Sequence, residues 1–199
     1  MKRAAVAGFA AGAAMMIGGA LGAVSHSDVK PVPEINSDVM NPMIGGQAML
    51  PDRDIMENMA ASPMHSTLVA ALKDSGVAAA LKTNGQFTVF APTNTAMAAG
   101  TQNKTTLARR MSYLIVPGKY DSQALLRLIN EAGGDARLRT AEGGVLVARM
   151  NGPTNIAVMD EKGNTANIAI YDVRDRNGVI HVVDRALEPN GVARQVAAN

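Results

Sequence analysis

The chain has 199 residues, 47% of them hydrophobic, which is room for one well-packed domain of about 130 residues plus appendages rather than two full domains. It contains no cysteine, which excludes a disulfide scaffold, a thiolate nucleophile, a cysteine zinc site and lipid attachment through an N-terminal cysteine. Setting aside Lys2 and Arg3 leaves 17 basic against 17 acidic residues. With three Phe, three Tyr and no Trp, the chain lacks both the basic surface and the stacking platforms of a nucleic-acid binder.

In chain order, Met1-Lys2-Arg3 precedes an uncharged run from Ala4 to Ser25, the basic start and apolar middle of a secretory signal peptide, with Ala23-Val24-Ser25 as a small-x-small cleavage site. The run is long enough to span a bilayer, but its Ala/Gly content makes it weakly hydrophobic, which favours removal over residence. Residues 1–25 are therefore read as a signal peptide. Prolines 31, 33, 42 and 51 and the Gly45-Gly46 pair leave no period that can be buried, so residues 26–51 are read as a flexible leader. Met40, Met43 and Met49 are irregularly spaced without a nearby His and are read as incidental rather than as a soft-metal cluster. The folded domain is placed at 52–190, with a tail at 191–199.

Asp54 to Ala60 and Ser66 to Lys73 read as helices, the second capped by Ser66 and burying Leu68, Val69 and Leu72, before Gly76 ends it. Val77, Ala80 and Leu81 make a short third helix. Phe87 to Ala91 reads as a buried strand that Pro92 ends and Thr93 hands into a capped helix. Leu107, Met111 and Leu114 place an apolar stripe on the helix from Lys104 to Ser112, with Arg109 and Arg110 pointing outward. Tyr113 to Val116 reads as a strand ended by Pro117-Gly118, and Asp121 or Ser122 caps the helix carrying Leu125, Leu128 and Ile129.

From Ala136 the period changes to two. Arg137–Thr140, Val145–Ala148, Asn155–Met159 and Ala166–Tyr171 read as an antiparallel meander separated by Gly-rich turns. Asp172 to Gly178 reads as a charged hairpin turn, and the last strand, Gly178 to Leu187, is apolar on both faces as a central strand should be. Helices first and strands later indicate an α+β domain.

Phe87-Thr88-Val89-Phe90-Ala91-Pro92-Thr93-Asn94 and Asn177-Gly178-Val179-Ile180-His181-Val182-Val183-Asp184 resemble the two homology boxes of the fasciclin domain. Ser66 to Lys73 is similar to the family's opening helix, and Tyr113 to Gly118 to its central Tyr-His strand, so the resemblance runs from about Ile55 to Pro189. It implies a wedge-shaped β-sandwich with a packed helical layer. Its structural motif positions would be Phe87, Phe90, Pro92, Thr93, Asn177, Gly178, His181 and Asp184, and its contact strand Tyr113, Leu114 and Ile115. Two positions depart from the family pattern: Met97 stands where relatives usually carry Phe, and Leu114 where they often carry His, so a role carried by that His is not implied.

Chemistry is sparse. His65 and His181 are the only histidines within the domain and have no carboxylates placed beside them for a metal site. His181, mid-strand among Val and Ile, reads as a neutral core imidazole, and His65 as part of a local helix-start geometry. There is no Gly-x-Ser-x-Gly elbow, phosphate loop or dinucleotide fingerprint, and no cofactor is implied. The resemblance and the missing catalytic set together favour a secreted or periplasmic, non-enzymatic interaction module for adhesion or for matrix or envelope association. Its partner would be an extracellular protein or polysaccharide, with no membrane contact after signal removal. The alternative is a carrier of an apolar small molecule in a methionine-lined groove near Met97.

Overall fold

The computed structural model describes residues 41–83, 85–97 and 103–191, so the signal peptide, most of the leader and all but the first residue of the tail lie outside the described residues. In sequence, the elements are strands β1 (Met43–Ile44) and β2 (Gln47–Ala48), helices α1 (Ile55–Ala61) and α2 (Ser66–Ser75), and strand β3 (Phe87–Pro92). Helix α3 (Lys104–Tyr113), strand β4 (Ile115–Pro117) and helix α4 (Ser122–Glu131) follow. Strands β5 (Asp135–Arg139), β6 (Val145–Met150), β7 (Ile156–Met159), β8 (Thr165–Asp175) and β9 (Gly178–Val183) complete the domain. Short 3-10 helices at Pro63–His65 and Val77–Lys82 flank α2.

Seven strands form one sheet in the order β4-β3-β9-β8-β7-β6-β5. All its pairs are antiparallel except β3 with β9, which run parallel and in register from Phe87 opposite Gly178 to Pro92 opposite Val183. Both partners belong in the interior. Every β9 residue and all of β3 beyond Phe87 are buried, which is why neither strand alternates polar with apolar residues.

Strand β8 serves both halves of the sheet. Its first residues, 165–167, pair with β7 and those from Ile168 to Asp175 with β9, with register shifts between Ile168 and Ile170 and between Ile170 and Val173. Extra residues on one side of a ladder bend it, and here the bend brings the two sheet edges together: the amide of Ala141, just after β5, donates to the carbonyl of Ile115 in β4 at 2.7 Å. The helices bury Ile55, Met59, Leu68, Leu72, Met111, Leu125 and Ile129 in the same core as Val89, Phe90, Ile180 and Val182. Each such side chain contributes roughly 1.5–3 kcal/mol. The domain is thus α+β, as its periodicities predict.

Helix starts follow local chemistry. Asp54 accepts from the Glu57 amide while the Glu57 carboxylate accepts from the Asp54 amide, a reciprocal capping box. Asn103 caps α3 and Asp121 caps α4. Ser66, expected to cap α2, is instead its first residue. The cap is supplied from a distance by Asn94, whose Oδ1 accepts from the Thr67 amide at 3.0 Å and whose Nδ2 donates to the Pro63 carbonyl at 2.8 Å.

Five further expectations are corrected. Residues 41–51 are not a leader: Gly45 and Gly46, at φ 61° and 79°, close a two-residue hairpin that buries Ile44, and Asn41 accepts from the Arg174 amide at 2.9 Å. Thr93 starts a turn rather than a capped helix. Its carbonyl accepts from the amides of Ala96 and Met97, its hydroxyl meets that of Thr95 at 3.0 Å, and the next described helix begins at Lys104; residues 98–102 lie outside the described residues. Tyr113 ends α3 and Leu114 is its C-cap, so the strand starts only at Ile115. Arg110 is buried rather than outward, paired with Glu188 at 2.9 Å, and Glu188 also holds Lys162 at 2.9 Å. Finally, residues 172–175 continue β8, and only Arg176-Asn177 turn the chain into β9.

Candidate functional site

The paired β3 and β9 strands carry most of the motif positions, and the structure shows what each does. Phe90 is fully buried and stacks on His181, with ring centroids 5.7 Å apart and planes 25° apart, while Tyr171 meets the same imidazole edge-on at 6.1 Å. His181 Nε2 lies 2.8 Å from the Tyr120 carbonyl, and Nδ1 faces the Asp172 amide at 3.4 Å. Those partners fix a neutral ring with the proton on Nε2, donating to the carbonyl and accepting from the amide. Burial lowers the His181 pKa, against the weaker upward pull of the Tyr120 carbonyl, Asp172 and Asp121. With both nitrogens engaged and no exposure, this histidine is a structural strut.

Gly178 is required by proximity. A Cβ there would lie 1.9 Å from the Phe87 carbonyl oxygen, so the close parallel pairing of β3 and β9 admits no side chain. Pro92 ends β3 opposite Val183. Asp184, just past β9, receives the Asn167 backbone and side-chain amides at 2.8 Å each, tying the strand end to β8.

Tyr113, Leu114 and Ile115, expected as a contact strand, are 0%, 2% and 2% exposed. The Tyr113 hydroxyl donates to the Val145 carbonyl at 2.8 Å and accepts from the Glu161 amide at 3.1 Å, and burial drives its pKa strongly upward. These side chains are part of the buried core. The reason is that β4, though terminal in the sheet, is covered by α3 and by the loop bearing Ala141.

Where the parallel pair begins, the surface opens into a cleft of about 440 Å³ lined by Asp54, Lys82, Thr83, Gly85, Gln86, Arg176 and Asn177. Asn177 builds its floor: Oδ1 accepts from the Ile55 amide at 2.9 Å, Nδ2 donates to the Leu81 carbonyl at 2.6 Å, and its carbonyl accepts from the Phe87 amide at 3.0 Å. One residue thereby joins α1 and the second 3-10 helix through its side chain and the strand pair through its backbone. Arg176 reaches over the cleft, 3.8 Å from both Asp54 and Glu57. Two cations and one carboxylate in an open, polar hollow suit a small polar or anionic group. Sequence reasoning named Asn177 but missed the cleft, because its walls come from segments that only tertiary packing joins. Among the described residues no group of three or more His, Asp or Glu side chains is placed to hold a metal ion.

Comparison with known proteins agrees with this architecture. The sequence model of the fasciclin domain matches residues 63–189. Protein sll1483 of Synechocystis sp. is 35% identical over 147 residues, covering 68% of this chain and 73% of that protein. A second Synechocystis protein, sll1735, is 32% identical over 145 residues, covering 67% of this chain and 96% of its own length. Transforming growth factor-beta-induced protein ig-h3 of Sus scrofa is 29% identical, although this chain spans only 19% of it. Among solved structures, a FAS1 domain pair from the insect cell adhesion molecule fasciclin I superimposes with a TM-score of 0.55 at 19% identity, covering 69% of this chain and 51% of that one. The chain belongs to the fasciclin domain family.

Proposed function

We propose that this protein is an exported, non-enzymatic interaction module that associates with a surface, matrix or envelope component, either protein or polysaccharide. The observation that carries the reading is the placement of its reactive side chains. Both histidines among the described residues, His65 and His181, are buried, as is Tyr113, and His181 and Tyr113 are fully hydrogen-bonded, which leaves none of the three at the surface to act as a base. That the insect relative is a cell adhesion molecule supports the same reading. A carrier role is less well supported, since Met97 is packed against the core and the cleft is polar.

Two measurements test the proposal. N-terminal sequencing of the protein recovered from its source should find a mature chain beginning at His26, and an intact Met1 in the cytosol would remove the exported role. The purified chain should bind matrix or envelope fractions saturably and be displaced by excess soluble chain. Failure to bind any protein or polysaccharide fraction would refute the interaction role.

A further inference from the structure

The outward face of the β5–β8 half of the sheet combines positive charge with an aliphatic stripe. On β5 the alternation turns Ala136 and Leu138 inward and leaves Asp135, Arg137 and Arg139 exposed. The ladder sets Arg139 opposite Val145, Arg137 opposite Val147 and Asp135 opposite Arg149, and continues through Met159 beside Val147 and Thr165 beside Met159. Residues directly opposite one another project to the same side, so all of these share one face. Val145, Val147 and Met159 are half-buried.

The charges on this face are not balanced within it. Arg149 is bound to Asp135 at 2.8 Å, whereas Arg137 and Arg139 make no ion pair with a described residue. The nearby carboxylate of Glu161 is occupied by the amides of Val145 at 3.0 Å and Asn190 at 3.2 Å. From Arg139 to the level of Arg149 the ladder covers roughly 13 Å, at about 3.3 Å per residue. A shallow row of that length fits an extended chain rather than a compact ligand.

We infer that this face docks an extended acidic polysaccharide, with the guanidinium groups of Arg137, Arg139 and Arg149 receiving successive carboxylates and Val145, Val147 and Met159 covering the apolar faces of the sugar rings. Guanidinium forks pair bidentately with carboxylates, and the aliphatic stripe has no aromatic platform on which a nucleobase could stack. Three arginines against one aspartate match a polymer bearing one charge per sugar more closely than a nucleic acid, which needs a broad basic field. The inference rests on the interaction role proposed above and assigns it a surface and a partner class.

The test uses the full mature chain and polygalacturonate, a uronate homopolymer, with neutral dextran and double-stranded DNA as comparison polymers. Binding to polygalacturonate should weaken by about tenfold or more in Arg137→Glu/Arg139→Glu, two exposed positions whose replacement leaves the thermal melt unchanged. Asp135→Asn releases Arg149 and should strengthen binding. Equal affinity of wild type and the double variant overturns the inference, as does equal binding of dextran or tighter binding of DNA. If the double variant still binds envelope fractions as wild type does, this face is wrong and the interaction role stands. If the wild type binds no such fraction, the role itself fails.

Discussion

Replacing Asp175 with Asn should remove most of a pH dependence built into the core. Asp175 closes β8 with its carboxyl group buried against Asn58 of α1, whose Nδ2 donates to Oδ1. Burial pushes its pKa from 3.8 to about 7, with the Asn58 hydrogen bond opposing, Asp54 adding to the rise and Lys119 opposing it. In the unfolded chain the group titrates near its ordinary value, so between these two pH values the native state holds a proton that the unfolded state has released. Stability therefore falls as pH rises through that window and levels off above it. The full displacement corresponds to about 4 kcal/mol, and the portion lost between about pH 5 and pH 8 is roughly 2–3 kcal/mol.

An asparagine cannot ionise, so this slope should vanish, while the amide donors left without an acceptor cost about 1–3 kcal/mol at every pH. The assay is urea unfolding at half-unit steps from about pH 5 to pH 9, comparing the slopes of the two proteins rather than their offsets. His65 and His181, whose pKa values burial lowers, act in the opposite sense by destabilising the fold as pH drops below their ordinary 6.5, but they do so in both proteins and cancel in the difference. Parallel wild-type and Asp175→Asn profiles would refute the reasoning.

Other substitutions probe separate parts of the design. Gly178→Ala drives a methyl group against the Phe87 carbonyl and should destabilise by more than about 3 kcal/mol; an unchanged denaturant midpoint would show that β3 and β9 do not approach so closely. Glu188→Ala leaves Arg110 buried without its carboxylate, and a loss of about 3–5 kcal/mol is expected, whereas a loss near zero would place that pair in solvent. Tyr113→Phe breaks the hydroxyl's bonds to Val145 and Glu161 and should cost about 1–3 kcal/mol in chemical denaturation. It should leave polygalacturonate affinity unaltered, and a large drop in that affinity would return Tyr113 to the binding surface.

Much of the fold was written locally. Phe87 to Ala91 and Gly178 to Val183 are apolar without alternation because both faces are covered, and that signal needs no knowledge of the partner strand. The capping aspartates of α1 and α4 act within a single helical turn, and the meander is marked by glycine turns. Where the sequence misled, the deciding partner lay far along the chain. Arg110 resembles any solvated arginine until Glu188, 78 residues later, meets it in the interior. Gly45-Gly46 reads as a break until Ile44 finds the core and Asn41 finds Arg174, 133 residues away. Tyr113 resembles a surface strand until the β5–β6 loop closes over it.

The same division holds for function. Residue types exclude thiol chemistry and provide arginines at alternate positions of β5, but only the register that sets Arg137 beside Val147 and Arg149 beside Asp135 makes them one face. Sequence by itself determined most of the strands and helices and the apolar faces they bury, because backbone propensity and hydrophobic period act over a few neighbouring residues. Tertiary structure alone decided which charges lose their water and which side chains meet, because desolvation and ladder register depend on partners beyond the local window, from the neighbouring strand of a hairpin to a segment 133 residues away.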